Sequence, residues 1–597
     1  MASPPTDPWR RFGPLAVAVL FALLAWWTWG AWPDVLVDFG RELYVPWQLS
    51  EGAVLHRDLA WFNGPLSQHF NAAMFRLAGA SLSTLVWTNL VLLAALVALW
   101  WSLLARLAGA LAATVACCVL LCVFGFAQLV GVGNYNFVTP YSHEITHGLL
   151  LGTGALWASV RWDGSRAVRW AAAAGLLLGL CFLTKVEVFL ASALGVATAL
   201  ALAIADRQRP VRGRSLIVGA LLGTAALPVV VALVASMPSL GLGGALRSVF
   251  GPWAHAVGSG ASDLAFYRSG MGIDEPGQRM LELLAWTVGW VALLGPLSLA
   301  GEVLHRRGLS APLLAAVAFA VVAAVLLGVV APLRWQSAAR PLPLFMVAVA
   351  AHQWVVLRRG DPREAPGTRA IIALCVFALA MLLKMLLRAR VYNYGFALAL
   401  PATLVWVTAL VGWWPRTLSR RAGAAAVLRA GALAVVLVGV VAQLGTTRGF
   451  LHAKTVVVGS GGDSFRADSR GELVNHALET IATLAEPGAT LAVLPEGVML
   501  NYLSRRTNPT PYVIFMPLEL VLFGEEAMVA RFDASPPDWI VLVHKDTSEY
   551  GYPLFGVDYA VQLRAWVRDH YEPVRRFGQE PLVPGTVFGV QVLRRRI

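Results

Sequence analysis

The chain has 597 residues, of which 58% are hydrophobic and only 14% charged, with a mean hydropathy of +0.65. Soluble domains carry about 25% charged residues, so this composition excludes an ordinary soluble protein and indicates an integral membrane protein. The net charge of +13 does not mark a nucleic-acid binder, because the arginines are scattered through short loops with no basic face, finger or aromatic-basic repeat.

A short polar N-terminus (Met1 to Arg11) precedes an apolar run from Phe12 to Trp32. That run is too long for a signal-peptide core and lacks a small-residue cleavage site, so it reads as a retained span. Further stretches near 82–105, 108–130, 145–161, 168–185, 187–205, 215–237, 281–301, 310–331, 341–357, 369–388, 393–413 and 424–446 meet the requirement of about 20 mostly apolar residues. The pattern predicts about 13 transmembrane helices.

An inside N-terminus puts arginines in every inside loop: Arg10 and Arg11, Arg106, Arg161, Arg166 and Arg169, Arg207 to Arg214, Arg306 and Arg307, Arg358 to Arg363, and Arg416 to Arg421. The positive-inside rule requires this, and the same parity places everything after Gln443 outside. The five cysteines (Cys117, Cys118, Cys122, Cys181, Cys375) all sit in apolar stretches without zinc-ligand spacing. They read as small core hydrophobes.

Loop 33–81 carries Asp38, Arg41, Glu42, Arg57 and Asp58, followed by Asn63-Gly64-Pro65. Ionisable groups at a bilayer surface are costly unless they pair or function. Asp38 and Glu42 are four residues apart and share a face on a helix; they are the candidate catalytic pair, as general base or as metal ligands. Arg41 and Arg57 offer guanidinium forks to a phosphate, with Asp58 as a substrate contact. The alternative is an Asp38 that caps the following helix and pairs with Arg41. Residues 42–49 suit an amphipathic helix lying along the interface.

The second outside loop supplies Asn134, Tyr135, Asn136, Tyr141, His143 and Glu144 as candidate substrate contacts, rich in groups that bind sugar hydroxyls or phosphate. His143, Glu144 and His147 stand in the order His-Glu-x-x-His, a spacing that could suggest metal binding. Segment 238–280, with Gly251-Pro252-Trp253, reads as a mobile loop or lid. Lys185, Lys384, Arg388 and Arg390 stand at outside helix junctions, where either snorkelling or an anionic ligand accounts for cations; Tyr392 and Tyr394 accompany them.

From about residue 447 the pattern turns to short apolar runs (490–494, 539–543, 587–593) around a helical segment (471–484), indicating a small α/β domain. Leu494-Pro495-Glu496-Gly497 follows a strand and reads as a turn or as a ligand contact. No phosphate loop or dinucleotide fingerprint is present.

Several features together resemble the GT-C glycosyltransferases: an acid just after the first span, a long first outside loop, and many helices followed by an outer α/β domain. The branch resembled includes protein mannosyltransferases, the aminoarabinose transferase of lipid A and lipopolysaccharide galacturonosyltransferases. Asp38 matches the family's first-loop Asp, Asn63-Gly64-Pro65-Leu66 its segment before the second span, and Gly179-Leu180-Cys181-Phe182-Leu183-Thr184-Lys185 its Gly-Leu-x-x-Leu-x-Lys stretch. The Asp-Glu pair common in the family is not adjacent here, since Phe39 follows Asp38.

The resemblance implies a polytopic α-helical membrane protein, with a GT-C-like catalytic part over 1–446 and an extracytoplasmic α/β domain over 447–597. It implies an inverting transferase of hexosyl, pentosyl or uronosyl groups in the bacterial cytoplasmic membrane. The donor would be a polyprenyl-phosphate sugar and the acceptor a lipid, glycan or protein. A divalent cation, Mg or Mn, stays open. The other readings are a lipid-linked-glycan transporter or flippase, and a non-catalytic polysaccharide-assembly protein.

Overall fold

The computed structural model describes residues 7–165, 167–206, 213–258, 260–330, 335–360 and 364–596. Arg166, Arg207, Arg209, Arg212 and Arg363, used above for orientation, lie outside the described residues. Each predicted apolar stretch falls on a helix. Among the described residues, ten helices are long and apolar enough to cross a membrane, and Ala110–Gly125 and Val168–Phe182 are shorter apolar helices. Helix His143–Ser165 joins them between loop and bundle. The chain is a multi-pass membrane protein.

The segment expected to be a mobile loop, 238–280, is instead mostly helical. Helix Arg214–Gly258 runs on through a kink at Gly241 (φ 66°, ψ 173°), and Ala265–Met271 and Pro276–Arg306 follow. Glycine and proline, which end helices in water, are tolerated in membrane helices.

Loop 33–81 folds into helices α1 (Phe39–Ser50) and α2 (Leu66–Ala78). Helix α1 forms where predicted but does not lie on a membrane surface: every residue from Phe39 to Trp47 is buried. The C-terminal domain covers it. Gly40 lies so close to the Met499 backbone that a Cβ would sit 2.3 Å from the Met499 nitrogen.

The C-terminal domain is a four-stranded sheet plus the hairpin β1 (Val456–Val458) and β2 (Phe465–Ala467). In the sheet, β3 (Leu491–Leu494) pairs parallel to β4 (Trp539–Val543); β6 (Gly589–Arg595) pairs antiparallel to β4 and to β5 (Tyr571–Gly578). Successive strand residues point to opposite faces. Leu491, Val493, Val541 and Val543 therefore join the core continuous with the membrane helices, while Ala492, Leu494, Ile540 and Leu542 pack on Phe515, Phe532 and Phe555 in a second core. The sheet is fused to the first loop by its inner face.

Polar bonds reinforce that seam. Arg470 pairs with Asp34 at 2.6 Å, the Lys454 ammonium donates to the carbonyls of Ala31 and Pro33, and Asp463 accepts from the Leu82 N–H at 2.7 Å.

Two stretches that stood out in the sequence meet in space. Gly64 N–H donates to the Thr184 carbonyl at 2.8 Å and Leu66 N–H to the Leu183 carbonyl at 3.0 Å. The turn before α2 is thereby stitched to the turn before Lys185. Only glycine allows this approach, since a Cβ on Gly64 would lie 2.2 Å from the Leu183 carbonyl oxygen. Gly64→Ala should therefore destabilise the protein by about 1–3 kcal/mol, read as a lower apparent melting temperature in detergent. Gly131→Ala, where nothing lies within 4 Å, should leave it unchanged.

Candidate active site

A cavity of about 570 Å³ lies where the first loop, the ends of three membrane helices and the C-terminal domain converge. Asp38 forms part of its wall. Its backbone is unusual (φ 58°, ψ −61°), and the Phe39 N–H donates across it to the Val37 carbonyl at 2.7 Å. This is the strained form of the γ-turn. Such a conformation costs about 1–3 kcal/mol and persists only where the surroundings over-determine it.

The surroundings do so from both sides. Before the turn, Asp34 accepts from the N–H groups of Leu36 and Val37, and Asn134 clamps the same segment, accepting from Asp34 N–H at 2.9 Å and donating to the Val37 carbonyl at 2.5 Å. At the turn itself, Asp38 N–H donates to Glu496 Oε1 at 3.0 Å. Glu496 is in turn held by Lys545, Nζ to Oε2 3.1 Å. Asp38 makes no side-chain cap bond to α1, so the helix-cap reading fails and the carboxylate is free to face the cavity.

Burial pushes the Asp38 carboxyl up to about 7, the Glu496 charge adds to the rise, and the Arg41 and Lys545 charges oppose it. A carboxyl poised there is suited to general-base work near neutral pH.

Glu42 takes a different role from the one predicted. It is fully buried behind the cavity wall. Its Oε2 lies 2.7 Å from His143 Nδ1 and accepts from His143 N–H at 3.1 Å and from Gln68 Nε2 at 3.1 Å. The Asn89 amide donates to His143 Nε2 at 3.0 Å, which assigns the ring proton to Nδ1, facing Glu42. Gln68 also bridges to Glu144, which accepts from Ser142 Oγ. Burial disfavours the Glu42 carboxylate, yet the His143 hydrogen bonds and the Arg41 charge outweigh it and hold its pKa below the ordinary value. Glu42, His143 and Glu144 are thus a buried frame. Through Arg41, whose Nε meets Glu42 at 3.3 Å and whose Nη2 donates to the Tyr141 carbonyl at 2.8 Å, the frame sets one cavity-lining cation.

Lys185 and Lys384 do line the cavity, with Tyr141 and Tyr394. Both ammonium groups share one carboxylate: Lys384 Nζ is 2.9 Å and Lys185 Nζ 3.9 Å from Glu187 Oε1. Lys185 also donates to the Tyr141 hydroxyl at 3.2 Å. Two cations against one anion leave this end positive. Below it, Leu190, Ala191 and Leu194 on helix Val186–Ile204, with Met381 and Leu383, give the cavity an apolar wall.

Other predicted contacts lie elsewhere. Arg57 and Asp58 pair with each other at 2.8 Å on an exposed turn. Arg388 is committed to the carbonyl and hydroxyl of Ser269, and Arg390 stacks on Tyr392, 5.1 Å from its centroid. Asn136 spends its amide within its own loop, on Gly133, Val138 and Thr139. Tyr135 packs behind Tyr141 and Tyr394.

The sequence reading missed Lys545 and Glu519 and left Glu496 undecided. Glu496 and Lys545 both follow the carboxyl ends of the parallel pair β3 and β4, where open α/β sheets place ligands, and that rule was the available signal. Among the described residues no group of three His, Cys, Asp or Glu side chains is arranged to hold a metal ion.

No protein-family model matches the chain, and no curated protein matches it in sequence. Solved structures do. The oligosaccharyltransferase of Archaeoglobus fulgidus, in complex with Zn and sulfate, superposes with a TM-score of 0.51 at 12% identity, covering 97% of this chain and 72% of that one. ArnT from Cupriavidus metallidurans bound to undecaprenyl phosphate gives 0.49 at 12% identity, covering 96% and 97%. On the first of these superpositions, the chain shares the fold of the Archaeoglobus fulgidus oligosaccharyltransferase.

Proposed function

We propose that the protein is a membrane glycosyltransferase that moves a sugar from a polyprenyl-phosphate donor to a lipid, glycan or protein acceptor, on the outer face of the bacterial cytoplasmic membrane. One observation carries this reading: a single cavity joins an ionisable Asp38 to the Lys185–Lys384 pair and continues along an apolar wall. A polyprenyl phosphate has this sequence of chemistry, with an apolar chain, an anion and a sugar. The fold shared with that oligosaccharyltransferase supports the same reading.

In the proposed reaction an acceptor hydroxyl attacks the anomeric carbon while Asp38 takes its proton. The new C–O bond forms as the bond from the anomeric carbon to the phosphate oxygen breaks. The electron pair leaves with the lipid phosphate, and Lys185 and Lys384 stabilise the charge that develops there. Phosphate leaves well enough that no general acid is needed, and a single displacement inverts the anomeric centre. The Glu42 frame and the Glu496–Lys545 pair are positioning groups. The arginine distribution supports an inside N-terminus and an outer C-terminal domain.

Asp38→Asn should lower transfer about 10²–10⁴-fold in proteoliposomes supplied with lipid-linked sugar; undiminished transfer by a folded variant would sink the assignment. Because Asp38 must be ionised to accept a proton, the rate should rise with pH through a midpoint at about 7 and level off well above it. Lys545→Met removes a charge that favours the ionised form and should move that midpoint up. Glu496→Gln removes a charge that opposes it and should move the midpoint down.

Glu42→Gln leaves Arg41 buried beside a weakened partner and should cost about 3–5 kcal/mol of stability, seen as a lower melting temperature. Arg57→Ala should change neither melting nor transfer.

A further inference from the structure

Glu519 sits on the short helix Pro517–Phe523 of the C-terminal domain and lines the cavity with Asp38 and Arg41. It is only 6% exposed. Its Oε2 is buried with no hydrogen-bond partner among the described residues. A buried acceptor left unpaired costs about 1–3 kcal/mol, and the nearest opposing cation, Arg41, already gives its guanidinium to Glu42 and the Tyr141 carbonyl. Glu519 thus brings to the cavity wall a carboxylate with one oxygen still unpaired, and a ligand that fills the cavity meets it.

The position of that space narrows the ligand. Lys185 and Lys384, in the same cavity, take the phosphate in the reading above. The group bonded to the phosphate is the sugar, which then lies between these lysines and the acids Asp38 and Glu519. We propose that Glu519 accepts a hydrogen bond from a hydroxyl of the donor sugar and selects neutral sugars against uronic acids. A uronic carboxylate brings no donor to Oε2 and repels it. The inference rests on the glycosyltransferase reading and adds a specificity-determining residue from the C-terminal domain. Burial pushes the Glu519 carboxyl up to about 7, so the selection is strongest above that pH.

The test uses the full chain in lipid nanodiscs at a pH of about 8, chosen to lie above that midpoint. Binding is measured for undecaprenyl phosphate and for its galactosyl and galacturonosyl derivatives, without acceptor. The wild type should hold the galactosyl lipid about tenfold more tightly than the galacturonosyl lipid, the size expected of one hydrogen bond to a charged group. Glu519→Gln should bring that ratio close to one, with affinity for bare undecaprenyl phosphate serving as the check on folding. A ratio unmoved by Glu519→Gln overturns the proposal, as does a wild-type preference for the galacturonosyl lipid. Failure of the wild type to bind any of the three lipids instead overturns the glycosyltransferase reading, and this inference with it.

Discussion

The site depends on one hydrogen bond between distant parts of the chain, from the Asp38 N–H in the first loop to Glu496 after strand β3. It holds a γ-turn that the backbone would otherwise abandon, at a cost of about 1–3 kcal/mol. The cost is met by an over-determined setting in which Asp34, Asn134, Arg470 and Lys545 all act on the same few residues. The C-terminal domain is thus a structural partner of the first loop. Its inner sheet face shares a core with the membrane helices, so the turn and the sheet stand or fall together.

Charge is divided along the cavity. Asp38, Arg41 and Glu519 line it, with the Glu496–Lys545 pair beside Asp38, and two lysines of the same cavity share Glu187. In the proposed reaction, the displacement at a sugar phosphate needs both a carboxylate that takes a proton and cations that meet the phosphate. The frame of Glu42, His143, Gln68 and Glu144 lies behind this wall, where removal of solvent makes each of its hydrogen bonds count for more.

The membrane helices were legible because each needs a long apolar run, and nothing else in a sequence produces one. Asp38 and Lys185 were legible for the converse reason, as charges that a bilayer surface does not accept without cause. The Asn63-Gly64-Pro65 turn and the stretch before Lys185 were visible separately, but their mutual bonds were not. Pairing across 120 residues leaves no local pattern.

Segment 238–280 was misread because its glycines and prolines carry their aqueous meaning as loop residues, which a membrane changes. Strand β5 was missed because Glu572, Arg575 and Arg576 are exposed on it, so it lacks the apolar run of β3 and β4. Arg388 was read as an anion ligand from its position alone, although its partner is Ser269. Glu519 left no signal, since one acid in a short helix looks like any solvated residue until the cavity beside it is seen.

The most direct test of the account is made in the cell envelope. Mass spectrometry of glycolipids and glycoproteins should compare a strain carrying the wild-type protein with one carrying only the Asp38→Asn form at equal abundance. The account predicts that one defined sugar mass disappears from one class of envelope molecule in the variant strain, with its lipid-linked donor accumulating. Identical glycan profiles in the two strains would contradict it.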